Sequence, residues 1–355
     1  STGIVVSGTL IAQGTNSNQI TFTSNESSPS AGDWSNLSFT NTSGDAVFNN
    51  DGTYSSGSIL EYCNVEYGSG IYLNLGNPFI NHCTIRYYND VGIEIDSYNS
   101  SNSSATVKVT NSTISYNKRG IEIYARGTII IDSNEISYNS STGGPPWNYG
   151  GGMEISSGDL ITVSNNMIKY NTATYDGGGI YKTAGARLKD NIFIGNTGRY
   201  GAGVKATGGT IVGNIFYNNI ASEEGGALYL DSGSDSVYHN FIVNNNAGRI
   251  GGGLHIDNNA GSIVVNNIIA ENYTDQSGGV YGKGGGIYYA GGDDDNPGQV
   301  KYNQIINNIS YVSGAGIHVN RNQGVVEYNT IQGNSSYELG PEEFRCENCY
   351  SSSPG

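Results

Sequence analysis

The strongest constraint in this sequence is a motif that recurs eleven times between residues 60 and 340. It reads N-x-[IVF]-x-x-N, then a short loop, then G-[GA]-[GA]-[ILVM]-x-[ILV]. Its first position is Cys63, Cys83, Ser112, Asn134, Asn166, Asn191, Asn214, Asn240, Asn267, Asn303 and Asn329. Two residues on, the column is apolar from Val65 to Ile331, and five residues on, Asn recurs from Asn117 to Asn334. Three residues before the first position lies another apolar column, from Leu60 to Val326. Copies are 20 to 36 residues apart, so length varies in the loops and not in the motif.

Helical repeats do not fit. The apolar positions alternate with a period of two, and Gly and Asn fill the windows where a helix needs good formers. Gly is 53 of 355 residues but shows no every-third-residue period, which excludes collagen. Short strands joined by tight turns describe a parallel β-solenoid. A single coil cannot bury its own apolar face, so coils stack and equivalent residues form columns about 4.8 Å apart. Asn in a turn column tolerates left-handed φ, and stacked amides can hydrogen-bond from coil to coil.

This pattern resembles the right-handed parallel β-helix proteins of the pectate-lyase-like superfamily over nearly the whole chain. Gly8-Thr9-Leu10-Ile11-Ala12 with Gly32-Asp33-Trp34 resembles the first coils of that family's exported members. Phe193-Ile194-Gly195-Asn196 and Phe216-Tyr217-Asn218-Asn219, followed by Gly225-Gly226-Ala227-Leu228, are similar to the F-x-x-N and G-G-A-[ILV] repeats of polymorphic outer-membrane adhesins. The resemblance implies an all-β chain folded as a single right-handed parallel β-helix of about 12–13 coils. Residues 1–59 supply its N-terminal coils, 60–340 the regular coils, and 341–355 a Cys-containing tail. It implies no one activity, because the fold hosts lyases, hydrolases, epimerases, tailspikes, adhesins and fibres. The galacturonan-hydrolase motifs N-T-D, G-H-G and R-I-K are absent, as is an epimerase-type D-P-H. The D-D of Asp293-Asp294-Asp295 lies in a Gly-rich loop.

Lys+Arg is 16 against Asp+Glu 31, a net charge of -15, which disfavours nucleic acid and anionic membranes as partners. No apolar run approaches the length of a membrane-spanning helix. The chain opens Ser1-Thr2-Gly3 without Met, as a processed or excised segment does. N-x-[ST] triplets at Asn25, Asn36, Asn41, Asn99, Asn102, Asn272 and Asn334 fit an exported glycoprotein. An extracellular or cell-surface location is expected.

Function must sit on outward columns and loops. The first column follows the Gly motif: Tyr72, Glu94, Glu122, Glu154, Tyr181, Lys205, Tyr229, His255, Tyr288 and His318. Its neighbours Ile93 and Ile95 are apolar, so the column is expected to face solvent. Glu94, Glu122 and Glu154 are candidate Ca²⁺ ligands, the one cofactor considered. Glu122, Glu154, Lys205, Tyr229 and His255 are candidate catalytic groups for polysaccharide cleavage. A solvated, non-functional strip of mutually repelling Glu is the alternative. A second column, Tyr175, Arg199, Glu223 and Arg249 beside Asp176 and Glu224, reads as a salt-bridge ladder. A third, Tyr67, Tyr87, Tyr116, Tyr138 and Tyr170, reads as an aromatic ladder. Trp147, Tyr149, Tyr181 and Tyr288 are candidates for stacking on sugar rings, and the Asp293–Asp295 loop is a weak Ca²⁺ candidate.

The fourth column is apolar although it should face outward: Met167, Ile192, Ile215, Phe241 and Ile268, flanked by Ile194, Tyr217, Val243, Ala270 and Ile306. Glu135 precedes the first row and Gln304 follows it. Soluble monomers rarely leave such a patch open, which makes it a candidate interface. The four Cys are expected as two disulfides, Cys63–Cys83 in adjacent coils and Cys346–Cys349 in the tail. These features point to an exported surface rod, a filament, sheath or adhesin subunit that binds copies of itself or another surface protein. The alternatives are a polysaccharide lyase or hydrolase, and a non-catalytic carbohydrate-binding module.

Overall fold

The structure, a computed structural model, describes residues 2–96, 106–142, 148–158, 160–183, 185–257, 261–275, 281–291, 298–320, 324–338, 340–341 and 344–346. Three long parallel sheets run its length. Sheet I has 13 strands, from Ile4–Val6 to Phe344–Cys346. Sheet II has 12, from Ile11–Gln13 to Gly324–Glu327, and sheet III has 12, from Ile20–Phe22 to Thr330–Gln332. A nine-stranded sheet IV begins at Ser140–Ser141, giving the later coils a fourth side. One such coil runs Val204–Ala206, Gly209–Val212, Ile215–Tyr217 and Ile220–Glu224 before returning to sheet I at Leu228–Leu230. The strand count matches the expected number of coils, and no helix is present among the described residues.

Alternation sends every second residue inward. The column Ile168, Phe193, Phe216, Ile242 and Ile269 is wholly buried, with the two Phe rings stacked at 4.6 Å. The ladder Asn residues also point inward and, apart from Asn329 at the end of its row, are buried. They do not themselves adopt left-handed φ, as the sequence suggested. The residue before each one does, for example Asn165 (φ 54°) before Asn166 and Asp190 (φ 54°) before Asn191. That conformation turns the chain by about one corner and swings the next side chain into the lumen, where its amide replaces the lost ladder bonds. The Gly motif has a similar cause. Gly201 has φ 58°, and a Cβ on Gly203 would lie 2.6 Å from Ala227 O and 2.9 Å from the Phe216 ring.

The two buried cysteines correct the disulfide expectation. Cys63 and Cys83 share a column, but both are free thiols. Cys63 Sγ donates to Ala12 O at 3.4 Å and Cys83 Sγ to Leu60 O at 3.3 Å, the carbonyls of the preceding coil. In-register parallel stacking points both Cβ atoms the same way at about 4.8 Å, wider than the roughly 3.5–4.5 Å a disulfide spans. Cys349, and with it the Cys346–Cys349 pair, lies outside the described residues.

Candidate functional site

Register sets the outward column of sheet I as aligned from the sequence: Tyr72, Glu94, Glu122, Glu154, Tyr181, Lys205, Tyr229, His255, Tyr288 and His318 pair in succession. Its environment differs from the expected solvated strip. Tyr229, His255, Tyr288 and His318 are buried, because each ring packs on the next and the turns between sheet IV and sheet I, at Gly251, Gly284 and Gly314, lie against the column.

The carboxylates in the first half are not left to repel one another. Arg119, three residues before Glu122 at the start of a Gly motif, reaches Glu122 Oε2 with Nη1 and Glu154 Oε2 with Nη2 at 2.8 Å. Its Nε donates to Tyr149 O at 3.2 Å. Glu94 receives no such contact. Burial, and then the adjacent Glu122 charge, push its carboxyl up to about 7. Burial also raises Glu154. Among the described residues no three His, Cys, Asp or Glu side chains converge as metal ligands. The expected Glu94, Glu122 and Glu154 calcium set is therefore corrected: an arginine occupies the place between two of them. A cavity of about 100 Å³ opens here beside Asp90, Lys118, Arg119 and Glu122.

The second half is an aromatic and cationic stack. Tyr149 stacks on Tyr181 at 4.4 Å, and Lys205 Nζ lies 5.6 Å from the Tyr181 ring and 5.5 Å from that of Tyr229. Lys205 Nζ is paired with Asp176 at 2.9 Å and Asp231 at 3.2 Å. Burial opposes its charge, but the two aspartates prevail and hold the ammonium above its ordinary pKa. Lys205 is thus a fixed cation rather than a base. Burial, and then Asp257, hold the Tyr229 phenol far above its usual range, and its hydroxyl donates to Asp257 Oδ2 at 2.7 Å. Tyr229 is a donor in this arrangement and unsuited to taking a proton.

His255 differs from both. Its ring meets Tyr229 and Tyr288 edge-to-face at 4.7 and 5.1 Å. Its Nδ1 lies 3.0 Å from Glu224 Oε2, at ion-pair distance though not aligned as a hydrogen bond, and Nε2 has no hydrogen-bond partner among the described residues. A cavity of about 260 Å³ lies against it, lined by Glu224, Ile250, His255, Asp257, Tyr288 and Asn320. Among the described residues, no lysine or arginine lines that cavity.

The sugar-stacking candidates are largely spoken for. Tyr149 covers one face of Tyr181, and Tyr288 stacks on His318 at 5.2 Å. Trp147 and Asp293–Asp295 lie outside the described residues. The beside-column ladder forms as expected: Arg199 Nε to Glu223 Oε1 at 2.9 Å and Arg249 Nη1 to Glu223 Oε2 at 2.8 Å. Its arginines stack on Tyr200 and Tyr281. The Tyr67, Tyr87, Tyr116, Tyr138, Tyr170 ladder stacks at 5.2 to 5.5 Å. Asn272 and Asn334 are buried ladder residues, so their N-x-[ST] triplets are not accessible acceptors.

The apolar stripe on sheet III has the register read from the sequence. Met167, Ile192, Ile215, Phe241 and Ile268 form one row; Ile194, Tyr217, Val243, Ala270 and Ile306 form the other. Both rows point away from the lumen, and Ile215, Tyr217 and Phe241 remain 41, 43 and 48 % exposed. The first row runs from Glu135 to Gln304 and the second from Lys169 to Gln332, with Lys169 Nζ 3.0 Å from Glu135 Oε2.

A family model described as a right-handed beta helix region matches residues 98–297, more than half of the chain. No curated protein and no solved structure matches it.

Proposed function

We propose, for a chain that belongs to the right-handed β-helix family, that it is a surface rod whose copies associate side by side through the apolar stripe of sheet III. The observation that carries this reading is the outward face itself: two adjacent rows of apolar side chains over five successive coils. A second copy suits it better than an unrelated partner. Parallel stacking gives the face a constant rung spacing of about 4.8 Å, so an identical face meets it rung for rung. The rows carry no charge between Lys169–Glu135 and the glutamines, in a chain whose net charge of -15 opposes contact elsewhere. Each half-exposed residue has on the order of 1 kcal/mol left to gain from burial. The half-exposed Ile215, Tyr217 and Phe241 on each of two copies, with the less exposed residues of both rows around them, set that gain against an association cost of roughly 4–15 kcal/mol. Filament, sheath and adhesin roles are forms of this one reading. The likeness of the Gly8–Ala12 and Gly32–Trp34 segments to exported chains supports an extracellular setting.

Sedimentation velocity across a concentration series tests it. The parent chain should associate at micromolar concentration, and Ile215→Asp with Phe241→Asp should stay monomeric with an unchanged circular dichroism spectrum. A parent that stays monomeric, or a double variant that assembles equally well, removes the reading.

A second reading has its own observation, the open Nε2 of His255 beside the 260 Å³ cavity. Glu224 and Asp257 there disfavour anionic sugars and suit hydroxylated, uncharged ones, whether bound or cleaved. Calorimetry with neutral and uronic oligosaccharides, compared with His255→Ala, separates the two classes. Equal or absent binding in all arms removes this reading.

A further inference from the structure

Beneath these surfaces lies an ionisable pair inside the lumen. The side chains of Lys182 and Asp235 are both wholly buried, and Lys182 Nζ is 3.3 Å from Asp235 Oδ1. We propose that Lys182 and Asp235 are a covalent cross-linking site, the lysine Nζ and the aspartate Cγ joining as an isopeptide bond with loss of one water.

Three successive coils build the site. Lys182 belongs to the inward column Ile155, Lys182, Ala206 and Leu230. Asp235 belongs to a different inward column, after Ala186 and Gly209. The lysine therefore crosses the coil between them, and that coil makes room with Ala206 and Gly209. A Cβ on Gly209 would lie 3.1 Å from Lys182 Nζ. One residue of the same coil holds both reactants: Lys182 Nζ donates to Gly208 O, and the Gly208 N–H donates to Asp235 Oδ2 at 3.1 Å.

An ion pair is an expensive occupant of a dry interior, and burial acts on both partners in the reactive direction. It pushes Lys182 down, toward the neutral amine, and Asp235 up, toward the neutral acid. The lone pair of the amine attacks Cγ and the C–N bond forms. Oδ2, which carries the negative charge of the tetrahedral intermediate, is held by the Gly208 N–H. The Cγ–Oδ1 bond breaks, and Oδ1 leaves as water with the acid's proton and one proton from the nitrogen. No oxidant, reductant or activating group is consumed. Fixed proximity replaces the encounter step, and such placement raises effective concentrations by many orders of magnitude. The product is a strap across three coils, independent of the outer stripe and of the His255 cavity.

Mass spectrometry of the purified full chain tests this directly. The intact mass should be one water below that of the sequence. Trypsin should leave Lys182 uncut and release a branched peptide holding Lys182 and Asp235. Lys182→Arg and Asp235→Ala should each restore the full mass expected for their own sequence. A parent chain at full sequence mass with cleavage at Lys182 overturns the proposal whether or not the variants fold. A water loss that maps to a succinimide at Asp51-Gly52 or Asp176-Gly177 overturns it too.

Discussion

Asn171 donates twice to one atom of Asn196: its backbone N–H at 3.0 Å and its Nδ2 at 3.1 Å both reach Asn196 Oδ1. Asn196 Nδ2 then donates to Ile168 O and to Asn219 Oδ1, each at 2.9 Å. One buried amide thus satisfies backbone and side-chain groups of three coils, and the ladder repeats this from Asn117 to Asn334.

Asn196→Ala should therefore be costly. It strands two donors of Asn171 and the Ile168 carbonyl, and each buried unsatisfied group costs about 1–3 kcal/mol. A loss of at least about 3 kcal/mol is expected from urea unfolding followed by circular dichroism. Asn41→Ala, at an exposed position, should change stability by less than about 0.5 kcal/mol. Equal effects at the two positions would remove the ladder's claim to hold the coils together.

The Glu94, Glu122, Glu154 column makes stability depend on pH. The folded-state pKa of Glu94 is raised to about 7, above the unfolded carboxylate range near about 4.3. The fold therefore favours its protonated form, and that contribution is fully present below about pH 4 and is lost as pH rises through about 7. The parent should melt lower at about pH 8 than at about pH 5.5, and Glu94→Gln should shrink that difference. An identical pH response in parent and variant would contradict the assignment.

Arg119→Ala tests the same column from its cation. Without the guanidinium, Glu122 and Glu154 face Glu94 uncompensated, so the melting temperature should fall most at alkaline pH and recover as the carboxyls protonate. A fall of the same size at every pH would mean that Arg119 contributes packing alone.

Tyr138 is held by two opposed effects. It stacks on Tyr116 at 5.2 Å and Tyr170 at 5.3 Å while adopting φ 55°. Tyr138→Ala should cost about 1–2 kcal/mol for two lost ring contacts at a half-exposed site. Tyr138→Val should cost more, since a β-branched side chain resists left-handed φ. Thermal melts of the two variants rank them, and the reverse order would show that stacking and not conformation sets the cost.

The thiols give a chemical check. Alkylation of the native, unreduced chain should spare Cys63 and Cys83, and alkylation after denaturation without reductant should label both. Peptide masses read the result. A Cys63–Cys83 disulfide recovered under those conditions would contradict the free thiols.

How much of this was legible follows from what a repeat encodes. Aligning the motif places residues in columns, because in-register parallel strands turn alignment into spatial succession. The Tyr72–His318 column, the Tyr67–Tyr170 ladder and the two apolar rows all came from that step. Period-two alternation then assigned inside and outside for Phe193, Ile192 and Ile194. The alignment is silent on what meets a column from elsewhere. Arg119 enters the Glu column from its own strand's first residue, and His255, though a member of the column, is buried by a turn between sheet IV and sheet I, so neither environment is written in the repeating positions. Lys182 and Asp235 occupy different columns two coils apart, and only the lumen's width, the side chain's reach and the small Ala206 and Gly209 bring them together. Local sequence determined the coils and their register because each coil obeys the same short-range pattern. The tertiary structure alone decided the pairings between columns, because these depend on distances across the lumen and over the turns that no repeat unit records.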